Sequence, residues 1–285
     1  MSATLTLSKA AIRSLREQIV GSFRVHTQNQ ALRFIRTVGY CYAFTQGPGH
    51  LPSLFEVLDT RSEDRRWAWA WEWKEALPSD KRVFYGRVLS RKPTFISPEL
   101  LPHFFALSGN IGEEDDCERL YEGGGLSSLA RRVYELTAAT GPLTTRQIRA
   151  AVEPERRGSS GRLLRALADL QSLFLLARIG EVGDNPGNYA YVWDTFARWL
   201  PAVVRRAEGI SHRTAAATVL ARYVRIAGAP RPEDAAALFA WPPTVLDAAI
   251  RDLRAEGRLV IVRGPRGEDR LAPRTVLAHL AAMRS

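Results

Sequence analysis

The stretch Ser211–Leu271 limits the fold more than any other part of the chain. Ala216, Val219, Leu220, Tyr223 and Val224 keep a helical period. Pro230 and Pro232 break it, and a short helix is expected across Asp234–Phe239. Pro243 suits a first helical turn. A third helix is expected from Thr244 to Glu256, with Val245, Leu246, Ala249, Ile250 and Leu253 inward and Gly257 as its C-cap. Leu259-Val260-Ile261-Val262 reads as a strand, Gly264-Pro265-Arg266-Gly267 as a turn, and Leu271 closes a second strand. Three short helices and a β-hairpin make a winged helix. That layout binds nucleic acid, and it also serves protein interaction.

The middle of the chain repeats the plan. Leu129, Val133 and Leu136 share one helical face, Gly141-Pro142 is a turn, and Thr144 caps a second helix reaching Val152. Ser159 or Ser160 starts a third helix that carries Leu163, Leu164, Leu167 and Leu170 inward. Leu173–Ile179 and Tyr189–Trp193 are wing strands around the tip 180–188. The first part is less regular. Helices are expected over Leu7–Val20 and Gln28–Val38, then Gly39, an aromatic run Tyr40–Phe44, a Gly/Pro loop to Leu51 and a short helix over Leu54–Leu58. Trp67, Trp69, Trp71 and Trp73 alternate with small or charged residues, a period of two that predicts a strand or wing. Its four rings either pack in a core or offer a surface on which bases stack. Pro78–Lys81 is expected to cap a further short helix, Glu113–Asp116 to mark an outer loop, and Glu122–Gly125 to mark a boundary.

The expected fold class is therefore mainly α with small β-wings, in three tandem winged helix-turn-helix modules: a divergent first at 5–110, a linker at 111–126, a second at 127–202 and a third at 203–285. Charge follows this division. The chain carries 40 basic and 30 acidic side chains. Residues 1–125 are nearly balanced, with 16 basic and 15 acidic, whereas 126–285 carry 24 and 15. Every cation after Lys92 is arginine, the better fork for phosphate, though an arginine-rich composition alone would also give this. Cys41, Cys117 and five histidines offer no spaced zinc motif, so neither metal nor cofactor is expected. The sequence lacks a signal segment and a membrane span, which leads to the expectation of a cytoplasmic protein.

Six segments taken in order carry a family resemblance: Arg36–Tyr40, His50–Leu58, Trp71–Pro78, Gly141–Thr144, Tyr189–Pro201 and Leu220–Gly257. The chain resembles the winged-helix DNA glycosylases that excise alkylated or interstrand-crosslinked bases, as a divergent AlkZ-like member. The resemblance implies three tandem winged helices and double-stranded, damaged DNA as partner. It also implies a polar pair, glutamine-x-glutamine or glutamine-x-aspartate, after the Gly-aromatic step, which positions water at the sugar C1′. Tyr42 and Phe44 occupy those positions here, and neither can act as a carboxylate base. The family's histidine in the tryptophan stretch is also missing from Trp71–Glu75. If catalysis survives in a displaced group, the candidates are His50, Glu72 and Gln46.

Backbone contacts to DNA are expected from Arg156, Arg157, Arg162 and Arg165 around the third helix of the middle module. In the last module they are expected from Arg251, Arg254, Arg258, Arg263 and Arg266. The leading reading is a DNA-binding protein on a glycosylase-like scaffold, nucleoid-associated when bound. Two alternatives stay open: an active glycosylase with a displaced group, and a winged-helix regulator or protein-interaction scaffold.

Overall fold

The computed structural model describes residues 6–44, 50–155, 161–183 and 189–277. In chain order these form α1 (Lys9–Val20), α2 (Gln28–Val38), a short strand β1 (Tyr40–Tyr42), α3 (Leu54–Val57) and α4 (Glu63–Ser79). A hairpin of β2 (Phe84–Arg87) and β3 (Pro93–Ile96) follows, then α5 (Leu101–Ser108) and α6 (Asp115–Glu122). Next come α7 (Ser128–Thr140), β4 (Leu143–Thr144), α8 (Thr145–Val152), α9 (Gly161–Ser172), β5 (Leu176–Val182), β6 (Ala190–Thr195), α10 (Phe196–Trp199) and α11 (Pro201–Ala207). The last elements are α12 (His212–Ile226), α13 (Pro232–Phe239), α14 (Pro243–Ala255), β7 (Leu259–Arg263) and β8 (Asp269–Pro273). The described chain is mainly α-helical with small antiparallel sheets as wings.

Two compact units divide it: residues 1–70 with 211–285, and residues 71–210. In the first, α12, α13 and α14 precede the β7–β8 hairpin, which pairs Leu259 with Pro273 and Arg263 with Asp269. Ala216, Val219, Leu220, Tyr223 and Val224 are buried as their spacing predicts. The N-terminal helix completes this core. Leu7, Ala11 and Leu15 pack with Ala229, Val262, Ala272 and Val276, and the Leu7 N–H donates to the Arg263 carbonyl at 2.8 Å.

In the second unit, α7, α8 and α9 precede a sheet in the order β4-β6-β5, with a register shift between Arg178 and Gly180. Its core runs through Val133, Ile148, Leu163, Leu167, Leu170 and Trp193. The Thr144 side chain accepts from the Gln147 N–H while Gln147 reaches back, a capping box that satisfies two otherwise unpaired donors. Thr144→Ala is expected to cost this unit about 1 kcal/mol, read as a lower urea midpoint at unchanged slope.

Four sequence expectations are corrected. The tryptophan run is helical, lying in α4. Ala68, Ala70, Glu72, Lys74, Glu75 and Ala76 are strong helix formers, the Ser62 hydroxyl accepts from the Arg65 N–H at 3.2 Å, and Glu63 and Asp64 suit a first turn. In a helix the four rings separate: Trp73 is buried, Trp69 is half-buried, and Trp67 and Trp71 are exposed. Pro78 and Ser79 end this helix and cap no new one. The acidic run enters α6, where buried Asp116 accepts from the N–H groups of Ile111 at 3.0 Å and Gly112 at 2.7 Å. Leu164 points outward at 51 % exposure, because it lies about 100° around the helix from Leu163, off the stripe of Leu163, Leu167 and Leu170.

Candidate nucleic-acid interface

A basic groove of about 480 Å³ lies in the first unit. Lys9, Arg13 and Arg16 recur at helical spacing on α1, whose opposite face carries Ala11 and Leu15 into the core beside Leu7, which precedes the helix. The turn between α12 and α13 supplies Gly228, Pro230 and Arg231, and the β7–β8 hairpin supplies Pro265, Arg266, Glu268 and Arg270. His50 completes the lining. Gly228 makes the close approach of α1 feasible. It has φ of 70°, and a Cβ there would lie 2.9 Å from both Arg16 Cβ and the Ile12 carbonyl.

Several of these cations are already committed. Arg16 grips Glu56 through two bonds of 2.6 and 2.8 Å. Arg231 binds Asp234 at 2.6 Å. Burial pushes the Asp234 carboxyl up, but the hydrogen bonds from Arg231 outweigh it and hold the carboxyl below its usual value. Arg270 reaches Glu268 and, at 2.9 Å, the Ala229 carbonyl. Among the described residues, the side chains of Lys9, Arg13 and Arg266 have no hydrogen-bond or ion-pair partner, and all three are exposed. They are the charges available to a polyanion. His50 is exposed and holds φ at 54°, a conformation uncommon outside glycine that recurs at functional sites.

The other sequence-predicted residues fall as follows. Tyr42 is buried, with 1 % of its surface exposed, and its N–H donates to the Pro52 carbonyl at 2.9 Å. Phe44 stacks on Trp67 with centroids 5.9 Å apart, and Trp67 also lies 4.6 Å from Phe55. These two positions are therefore packing positions. Glu72 is exposed on α4. His50 and Arg266 share the groove. Arg251 and Arg254 are exposed on α14, whereas Arg258 pairs with Glu256 at 3.0 Å and Arg263 with Asp269 at 2.7 Å. In the second unit Arg162 lies 3.7 Å from Glu153, and Arg165 is exposed beside a separate pocket. Gln46, Arg156 and Arg157 lie outside the described residues. Sequence reasoning missed Lys9, Arg13, Arg16, Arg231 and Arg270. The basic face of α1 was the signal that could have found the first three.

It also missed a buried charge cluster in the second unit. Arg178 is 8 % exposed, with its guanidinium 4.5 Å from the ring centres of both Tyr85 and Tyr191. It bonds Glu75 at 3.0 and 3.1 Å and the Lys74 carbonyl at 3.0 Å. The buried Lys74 ammonium bonds the same Glu75 carboxylate and sits 3.9 Å from the Trp71 ring centre. Burial, then the neighbouring Arg178, hold the Lys74 ammonium down to about 7. Burial pushes the Tyr85 phenol up to about 12.

Among the described residues no three His, Cys, Asp or Glu side chains gather into a metal-binding group, and no helix is long and apolar enough to cross a membrane. Comparison with known proteins gives two matches. The profile of the family described as AlkZ related matches residues 25–240. The solved structure of the Streptomyces sahachiroi DNA glycosylase AlkZ superposes with a TM-score of 0.61 at 15 % identity, covering 98 % of this chain and 73 % of that one. No curated protein matches the sequence.

Proposed function

Since the chain belongs to the AlkZ-related family, we propose that it binds duplex DNA, damaged DNA included, on this winged-helix, DNA-glycosylase-like scaffold, without the family's polar pair. The carrying observation is the groove that sets Lys9, Arg13 and Arg266 together, without partners among the described residues, on a winged-helix unit. Arginine and lysine at a wing and a helix face suit phosphate contacts, which fix position and carry no sequence information. A nucleoid-associated, cytoplasmic location follows from that reading. The order helix, strand, two helices, hairpin recurs over residues 28–96 and 128–195, and without the first strand over 212–273, which supports three tandem modules.

The noncatalytic half of the proposal rests on Tyr42 and Phe44, which bring no water-positioning pair. His50 favours a second reading, an active glycosylase with a displaced group, because it is exposed in the basic groove in a strained conformation. One experiment separates the two. Purified protein is titrated with alkylated, crosslinked and undamaged duplexes across a salt series, and released base is measured in parallel. Binding that falls steeply with salt and no released base is the expected result. Base release that is lost in His50→Ala would establish the second reading. No binding even at low salt would leave a protein-interaction scaffold.

A further inference from the structure

The second unit holds a pocket of about 410 Å³ that phosphate contacts in the first unit do not use. Tyr85, Tyr191 and Trp193, the first and last nearly buried, form its floor together with Arg178. These rings are held in place by their neighbours. The buried Arg178 guanidinium lies against both tyrosines and is fixed in turn by Glu75 and the Lys74 carbonyl. The Trp193 indole N–H donates to the Thr145 hydroxyl at 2.8 Å, and Tyr191 meets Trp193 edge to face. The floor is thus rigid before any ligand arrives.

The rim has the opposite character. Arg87 and Arg165 are exposed, and among the described residues neither side chain has a hydrogen-bond or ion-pair partner. Arg91 is nearby but is paired with Asp169 at 3.0 Å. Beside Arg165, Leu164 exposes an apolar side chain into the same pocket. Aromatic faces with two uncommitted guanidiniums at the edge match a flat, apolar-faced ring attached to an anion. The volume suits one such group and is far too small for a duplex.

We propose that this pocket takes one unpaired nucleotide, its base against Tyr191 and Trp193 and its phosphate at Arg87 and Arg165. The nucleotide can be free or part of a DNA strand, since both carry the same base and phosphate. The proposal is independent of duplex binding through the first unit.

The test uses the full chain and two probes: deoxyadenosine 5′-monophosphate, and a duplex with one bulged 2-aminopurine set against the fully paired duplex. The bulged duplex is expected to bind about tenfold tighter than the paired one, with the 2-aminopurine fluorescence quenched by stacking. Arg87→Ala and Leu164→Glu, both at exposed positions, are each expected to remove that preference while retaining helical circular dichroism. Binding of the free nucleotide, weakened by the same substitutions, places a free-nucleotide site here. A bulge preference without free-nucleotide binding places the ligand in a strand. Both support the pocket. Equal affinity for bulged and paired duplexes with no nucleotide binding overturns it, as does a preference that survives both substitutions. If paired DNA is not bound at all, the monophosphate titration still decides.

Discussion

Replacing Lys9, Arg13 and Arg266 together by alanine is expected to weaken binding to undamaged duplex by about two to three orders of magnitude near 0.1 M salt. Each phosphate neutralised releases counterions and contributes a slope of roughly −0.9 in log affinity against log salt. Three lost contacts therefore lower the slope by about three, and near 0.1 M each is worth close to one decade. The three side chains line one groove and are uncommitted among the described residues, whereas Arg16, Arg231 and Arg270 are already engaged with acids of the first unit. Fluorescence anisotropy over a salt series reads both quantities. A loss restricted to one duplex sequence would point to base readout, and an unchanged slope would remove the groove from the interface.

Glu75→Ala is expected to destabilise the second unit by about 3–5 kcal/mol, because it leaves the Arg178 and Lys74 cations buried without their shared carboxylate. The same cluster sets a pH dependence in the native protein. Lys74 is held down to about 7 in the folded state and returns to about 10.4 when unfolded. Between those values the unfolded chain binds the extra proton, so stability rises with pH. Below about 7 both states are protonated and the burial penalty is fully present; above about 10.4 both are neutral and it is gone. Urea unfolding should show a gain of about 2 kcal/mol from pH 7 to pH 9, lost in Lys74→Met. A flat profile over that range would mean that Lys74 stays charged throughout.

The wings were legible because short-range chemistry defines them. Pro243 starts α14, Gly257 ends it at φ of 66°, and the Gly264–Gly267 turn sits between β7 and β8. The tryptophan run misled because a period of two over seven residues says little when the residues between favour helix. The emptied catalytic positions were visible as residue types. Their packing was not, since Phe44 meets Trp67 only across the fold. The groove escaped for the same reason. The basic face of α1 gains meaning from Gly228, some 200 residues away, whose missing Cβ lets the helix lie down there. Leu164 belonged to an apolar run by sequence and to a surface by helical angle. The Lys74–Glu75–Arg178 cluster joins two adjacent residues to a third more than 100 positions later, beyond any local pattern.

The first unit is built from both sides of the second, with Leu7, Ala11 and Leu15 packed against Val262, Ala272 and Val276. This imposes an order of events during synthesis. Residues 71–210 are contiguous and can close their core as soon as they leave the ribosome. The α1 segment, made before them, must wait through all of that with its apolar stripe uncovered. Its partners arrive only with the β7–β8 hairpin. The loop to be closed is long, but closure entropy grows only logarithmically, so the delay falls on rate and on exposure to aggregation more than on final stability. The basic groove, which needs α1 and the hairpin turn together, consequently does not exist until the β7–β8 hairpin has been made, and a nascent chain cannot engage a polyanion there before that point.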